Sequence, residues 1–448
     1  SESKPSIVTS SKLFTSEQAV CMSRSTPADM PRQPSQIAIL RYLRVHGPAA
    51  RIDIGNATGL SPATVTSLTA ELMTQGLVQE MQGAAHGSTG PNGSNSPQAA
   101  HGATRGRPKV LLDLVPSAAY VIGVKITINL IEVALGNFKG EIESSRQHRV
   151  NTRDLDQISL ITTLCRLIDG FMEEHRDLTP HPPVGIGIAV QGVADSNSGD
   201  IMWSPALRHR QLAVTEPLRQ RYGGIVQMSN DANCIATAIT QNTNIRGSGD
   251  FAVIMLGYGI GMGLVLNGAV YNGHFGAAAE FGHMKYQPDG PLCNCGKRGC
   301  LEAYIGDYAI LRDASTLIDL PAETGTDTVN RLHPSEDQMM DLVRKAHEGQ
   351  EDIADLFRHA GKVLGYGIAN LIALLGPERI FITGSGARAY DLMAPEIHRS
   401  LEDAQVPELR RGPQILHLPW DKDIAMQGAI GQSLLRHDEN MFAAGTTR

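Results

Sequence analysis

One short stretch of metal-ligand residues constrains this chain more than any other feature. His283 is followed by Cys293-Asn-Cys295-Gly-Lys-Arg-Gly-Cys300-Leu-Glu302, so three cysteines fall within eight positions. Three thiolates and an imidazole make up the full donor set of a tetrahedral zinc site. Gly296 and Gly299 free the short loop to fold back and bring Cys300 to the other two cysteines. Four protein ligands leave no open position for water. His283, Cys293, Cys295 and Cys300 therefore predict one structural zinc ion per chain, not a hydrolytic one. Six cysteines in 448 residues are too few for a disulfide framework, and their crowding points to metal in a reducing compartment.

A chain of 448 residues exceeds one ordinary domain. Its longest apolar runs, such as 367–376, fall short of a membrane span. No basic start, apolar middle and cleavage site combine at the N-terminus, so the expectation is a cytoplasmic protein without membrane insertion. Only 5% of residues are aromatic, which argues against binding bases by stacking. Charge is uneven: residues 1–113 hold 10 Lys+Arg against 7 Asp+Glu, and the remainder holds 29 against 39. A basic front on an acidic body suits a nucleic-acid-binding head joined to a sensor. Residues 1–30, rich in Ser and Thr without apolar periodicity, read as a disordered tail. Residues 82–104 contain five Gly and no Lys, Arg, Asp or Glu, and read as a flexible loop. From Val110 onward, strand patterns at 119–124, 131–135, 184–190, 251–256 and 379–383 alternate with helical patterns at 155–174, 231–241 and 352–375. That alternation predicts an α/β fold.

The front has helical texture. Residues 36–46 set Ile37, Leu40 and Leu43 on one face, and His46-Gly47-Pro48 ends the helix. A second helix is expected at 51–58, closed by Gly59. Ser61 caps a third at 62–75, with Pro62 in its first turn. This third helix buries Val65, Leu68 and Leu72 and turns small polar residues outward, the pattern of a helix-turn-helix whose Ser61, Ala63, Thr64 and Ser67 reach base edges. Strands at 77–81 and 110–114 flank the 82–104 loop as a wing, so residues 31–114 are expected to form a winged helix-turn-helix. The third helix has no Arg or Lys. The missing charge is expected from Arg105 and Arg107 in Thr104-Arg105-Gly106-Arg107-Pro108-Lys109, which is similar to the core of AT-hook motifs that enter a narrow minor groove.

Gly282-His283 followed by CxCGxxGCLE resembles the signature of the ROK family, which groups sugar-responsive repressors with sugar kinases. The similarity runs from about residue 115 to the end, and the preceding head resembles the repressor branch. The resemblance implies a two-lobed, actin-like and sugar-kinase-like domain over 115–448 with a sugar cleft between the lobes. It implies sugar contacts from Asn230 and Asp231 in an NDAN motif, and from Glu280, Glu302 and His283, the last using one ring nitrogen on zinc and the other toward the sugar. Carboxylates and amides suit vicinal hydroxyls, and Asn and Asp also favour helix caps. Two departures stand out. Ala206 follows Trp203-Ser204-Pro205 where the family usually has Asn. Lys125, Thr127, Ile128 and Leu130 stand where its kinases carry an Asp, a glycine pair and a Lys to cradle phosphates. β-Branched side chains there should exclude a triphosphate, so no catalytic residue is expected. The Gly-rich runs 256–263 and 383–386 persist and read equally as turns. The expectation is a DNA-binding regulator, most naturally a repressor of carbohydrate-metabolism genes. It would act as a homodimer or higher homo-oligomer on a palindromic double-stranded DNA operator under control of a sugar or sugar phosphate. The rival expectations are an ATP-dependent sugar kinase with an accessory head, and a regulator controlled mainly by a protein partner.

Overall fold

Apolar periodicity sets the amino-terminal helices. In the computed structural model, which describes residues 32–81, 110–179, 181–195, 197–242, 249–318, 334–406 and 412–443, helix α1 (Arg32–His46) buries Ile39, Leu40 and Leu43. A two-residue strand that the sequence did not suggest, β1 (Ala49–Ala50), leads into α2 (Arg51–Thr58) and α3 (Pro62–Thr74). Gly59 closes α2 in the left-handed region at φ 71°, which costs a glycine nothing. Ser61 caps α3 by accepting the Thr64 N–H at 3.2 Å. Strands β2 (Val78–Met81) and β3 (Leu111–Leu114) join β1 in a three-stranded antiparallel sheet of order β1-β3-β2. Together these elements make a winged helix-turn-helix. The 1–30 tail, the 82–104 loop, Arg105 and Arg107 lie outside the described residues.

The chain then builds one sheet topology twice. In the first lobe, β4 (Tyr120–Thr127), β5 (Leu130–Asn137) and β6 (Ile142–Arg149) form an antiparallel meander. Helix α4 (Gln157–Glu174), started by a capping box between Asp156 and Ser159, returns the chain to β7 (Gly185–Val190), parallel to β4. All six residues of β7 are buried, as a central parallel strand requires. The short ribbon of β8 (Val193–Ala194) and β9 (Ile201–Trp203) and helix α5 (Thr215–Tyr222) precede β10 (Ile225–Asn230), which lies parallel to β7.

Helix α6 (Asp231–Thr240) leads to the second lobe, where β11 (Phe251–Leu256), β12 (Ile260–Leu266) and β13 (Ala269–Val270) are again antiparallel. Helices α7 (Glu302–Ile305), α8 (Asp307–Ala314), α9 (Glu336–His347) and α10 (Glu351–Leu375) follow. Then come β14 (Arg379–Thr383), α11 (Tyr390–Ala404), β15 (Gln414–His417) and α12 (Ile424–Ala443). Strand β14 is parallel to β11, and β15 to β14. The sheet orders are β6-β5-β4-β7-β10 and β13-β12-β11-β14-β15, the same arrangement read in the same direction. This is the two-lobed, sugar-kinase-like architecture.

Helices α6 and α12 pack against each other between the lobes, α6 on β12 and α12 on β4 and β7. At 20 residues, α12 is about 30 Å long. Its far end reaches the head: Arg44 meets Asp438 through two bonds of 2.6 and 3.2 Å and donates from Nε to the Phe138 carbonyl at 3.1 Å. Ile39, Leu40 and Leu112 of the head share one apolar cluster with Met426, Ile430 and Leu434 of α12. Among the described residues no helix is long and apolar enough to cross a membrane.

Candidate ligand cleft and metal centre

Between the lobes opens a cavity of about 380 Å³. Strand β10 delivers Asn230 and Asp231 to its floor. Asn230 is the N-cap of α6, its Oδ1 accepting the Asn233 N–H at 2.7 Å, so the cap role and the cavity position coexist. Asp231 accepts the Ala232 N–H at 2.9 Å. Burial pushes its carboxyl up to about 7, against the opposing pull of backbone N–H groups and Lys125. Glu280 is also raised to about 7, by burial first and then by the charges of Asp231 and Glu302. Glu302, at the start of α7, is buried. One of its oxygens accepts the Ile260 N–H at 3.1 Å, and the other lies 3.3 Å from the Cys293 Sγ. All five residues expected to touch a sugar (Asn230, Asp231, Glu280, His283 and Glu302) line this one cavity.

The metal-ligand residues converge beside it. The ligand atoms of His283, Cys293, Cys295 and Cys300 all lie within 4.8 Å of one another. The Cys295 and Cys300 sulfurs are 3.8 Å apart, and the Cys293 sulfur is 3.7 Å from His283 Nδ1. A tetrahedron with metal–sulfur bonds of about 2.3 Å has edges of about 3.8 Å, so the donor set fits a zinc-sized ion. The loop closes because Gly299 stands at φ 75°, where an added Cβ would lie 1.7 Å from the Gln287 carbonyl oxygen. Burial raises the Cys300 thiol, opposed by the hydrogen bond that Lys285 donates to its Sγ at 3.3 Å. Burial raises the Cys293 thiol, so holding it as a thiolate calls for a cation of the kind such a cluster binds. His283 Nε2 faces Glu280 Oε2 at 3.8 Å while Nδ1 faces the cysteines, so one ring joins the cluster to the cleft.

The stretch expected to correspond to a kinase phosphate loop, residues 123–130, comprises the end of β4, the tight turn after it and the first residue of β5. Asn129 takes φ 57° in that turn, and Thr127, Ile128 and Leu130 line the cavity wall. Lys125 forms an ion pair with Glu132 at 2.7 Å and donates to the Lys422 carbonyl at 3.0 Å. The Gly-rich run 256–263 is the β11–β12 hairpin. There Gly263 passes so close to α6 that a Cβ would lie 2.4 Å from the Ala232 carbonyl. Ala206 is fully buried and does not line the cavity.

Sequence reasoning missed Gln147, Gln191, Trp420 and Lys422, which also line the cavity. Gln147, Trp420 and Lys422 come from segments without any motif. On the head, Ser61, Ala63 and Ser67 are exposed at the start of α3 and Thr64 is half-buried. The Ser61 and Thr64 hydroxyls lie 2.8 Å apart.

The family model described as ROK family matches residues 121–439. The chain belongs to the ROK family. That match covers the two lobes and leaves out the head. The N-acetylglucosamine repressor of Escherichia coli O6:H1 is 23% identical over 395 residues, 88% of this chain and 90% of the relative. A crystallised ROK family transcriptional regulator, a homologue of the E. coli MLC protein, superposes with a TM-score of 0.73 at 24% identity, covering 92% of this chain and 99% of its own. A ROK family glucokinase from Streptomyces griseus, crystallised with glucose and AMPPNP, covers 70% of this chain and 99% of its own at 26% identity and a TM-score of 0.57. The regulator spans head and lobes. The kinase is about the size of the ROK lobes alone.

Proposed function

We propose that this ROK protein is a sugar-responsive transcriptional repressor of carbohydrate-metabolism genes, working in the cytoplasm as a homodimer on a palindromic operator. The observation that carries the reading is the joining of two devices by one helix. A winged helix-turn-helix shares its apolar core with α12, and α12 begins at a cleft lined by Asn230, Asp231, Glu280, His283 and Glu302. A sugar or sugar phosphate that binds one lobe closure better than another shifts that equilibrium, and with it the placement of the heads. Domain limits of 31–114 for the head and 115–448 for the sensor fit this division of labour. Zinc, held by His283, Cys293, Cys295 and Cys300, would supply rigidity and fix the His283 ring without taking part in chemistry.

In this reading the cleft binds without phosphorylating. Thr127, Ile128 and Leu130 occupy the space that backbone amides would need to reach phosphates, and Lys125 stands where a carboxylate is expected. Asp231 then accepts a hydroxyl proton in a hydrogen bond but has no donor of phosphate to serve. Incubation with ATP and a hexose panel is expected to give no sugar phosphate; turnover would instead establish the kinase reading.

The deciding experiment is a thermal-shift screen of sugars and sugar phosphates, followed by operator binding with each hit. A specific shift lost in Asp231→Ala, together with a change in DNA affinity, supports the reading. If operator release requires a protein partner and no sugar alone produces it, control by protein contact is the better account. In the head, Ser61, Ala63, Thr64 and Ser67 serve base edges and Arg105 and Arg107 serve phosphates and minor groove. Replacing both arginines by Ala is expected to weaken binding and to reduce the slope of log affinity against log salt by about 2.

A further inference from the structure

The protein contains two tryptophans, Trp203 and Trp420, and both line the cleft. Contacts tie each of them to the polar residues of the cleft. Trp203 lies edge-on to the His283 ring, with centroids 5.9 Å apart. His283 faces Glu280 at 3.8 Å, and Asp231 and Lys125 line the same cavity. Lys125 donates to the carbonyl of Lys422, two residues beyond Trp420. One indole therefore stands at the end of the cleft that holds the hydroxyl-binding carboxylates. The other belongs to the segment that the Lys125 hydrogen bond holds against β4.

That second end has the character of a site for another sugar ring. The cavity, about 380 Å³, lies within the range of pockets that enclose drug-sized molecules, and a single pyranose leaves part of it empty. The cavity lining offers Trp420, a residue 41% exposed, together with Ile128 and Leu130, surfaces that suit the C–H face of a ring. Gln147 and Gln191 bring amide groups with no side-chain partner among the described residues, ready to meet hydroxyls. Of the two lysines lining the cavity, Lys125 is already matched by the buried Glu132 carboxylate at 2.7 Å, while Lys422 is exposed, so the hexose 6-phosphates are the competing class that the titration must separate.

We propose that the effector is a two-ring carbohydrate, a disaccharide or a glycoside with a ring substituent. Its first ring is held by Asn230, Asp231 and Glu280, and its second is stacked on Trp420. The assignment rests on the reading of the cleft as a sugar site and names the class of sugar.

With only two indoles in the chain, intrinsic fluorescence reads each end of the cleft separately. Full-length Trp203→Phe and Trp420→Phe proteins each retain one reporter. They would be titrated with hexoses and pentoses, hexose 6-phosphates, and disaccharides including cellobiose, maltose and lactose. A disaccharide is expected to change the emission of both single-tryptophan proteins, whereas its component monosaccharide changes only the one that retains Trp203. Trp420→Ala is expected to weaken the disaccharide at least tenfold and the monosaccharide less than twofold, with an unchanged circular dichroism spectrum. The proposal is overturned if a monosaccharide or a hexose 6-phosphate binds as tightly as any disaccharide and Trp420→Ala leaves its affinity unchanged. In that outcome the sugar-responsive reading stands. If no carbohydrate of any class changes the emission of either protein, both readings fall together.

Discussion

At the scale of single residues, Asp231 carries an electrostatic cost within the cleft. Its carboxyl titrates near 3.8 when solvated and at about 7 in the folded protein, chiefly because of burial. A carboxyl raised in this way binds its proton more tightly in the native state than in the unfolded one. Below about pH 4 both states are protonated and nothing is lost. Between pH 4 and 7 the unfolded state ionises first, so stability falls, and above pH 7 the full cost is present. Asp231→Asn removes the ionisable group. It is expected to stabilise the ligand-free protein at pH 8 by roughly 1–2 kcal/mol, less than a fully enclosed group would give because the side chain opens onto the cavity. Calorimetry across this pH range checks the claim: the gain should grow from pH 4 to 7 and then level off, and an equal gain at pH 4 and pH 8 would assign it to packing. The same variant should lose the sugar-induced shift, since the amide cannot accept a hydroxyl at both of its polar atoms.

At the scale of elements, the cysteine-rich loop ties the ligand cleft to the second lobe through His283 and Glu302. Cys300→Ser removes one thiolate from a four-ligand set. It is expected to lower bound zinc, measured by elemental analysis, from one per chain to well below one. Sugar affinity should fall at least tenfold, because His283 loses the partner that fixes its ring. Unchanged sugar affinity in a zinc-free protein would separate the two sites. This loop was legible in the sequence because ligand chemistry restricts residue type and spacing together. The head was legible for a related reason: caps, a left-handed glycine and an apolar stripe each constrain α2 and α3 locally. Other features left no such trace. Strand β1 has two residues, too few for any periodicity. The repeated lobes share an order of hydrogen-bonded strands and not a pattern of side chains. Helix α12 is buried against β4, β7 and α6 at once, and Gly428 comes so near α6 that a Cβ would lie 1.8 Å from the Cys234 carbonyl. A helix enclosed on several sides loses the one-faced stripe by which helices are recognised. The Lys125–Glu132 pair joins neighbouring strands β4 and β5, and only their register brings the two side chains together.

At the scale of the whole molecule, the question is how about 30 Å of protein carries a binding event to the amino-terminal head. Helix α12 starts beside the cleft, where Ala425 lines the cavity, and ends at the head, where Asp438 holds Arg44. Both side chains of that pair are almost wholly buried, at 3% and 0% exposure. Deleting one partner leaves an uncompensated buried charge, so Arg44→Met alone is expected to destabilise the protein by about 3–5 kcal/mol, a loss that reports on folding and not on signalling. Replacing both, Arg44→Met with Asp438→Leu, removes the charge from each side and should recover most of that stability. The double variant therefore isolates the connection. If α12 transmits ligand binding through this contact, the double variant should bind sugar with unchanged affinity and still bind operator. Adding sugar should then change its DNA affinity less than twofold, against a change of at least fivefold in the unmodified protein, the lower end of ordinary allosteric coupling. Sugar titrations of operator complexes measured by fluorescence anisotropy decide the matter. A double variant that keeps the full sugar response would move the coupling away from α12 and onto contacts between protomers.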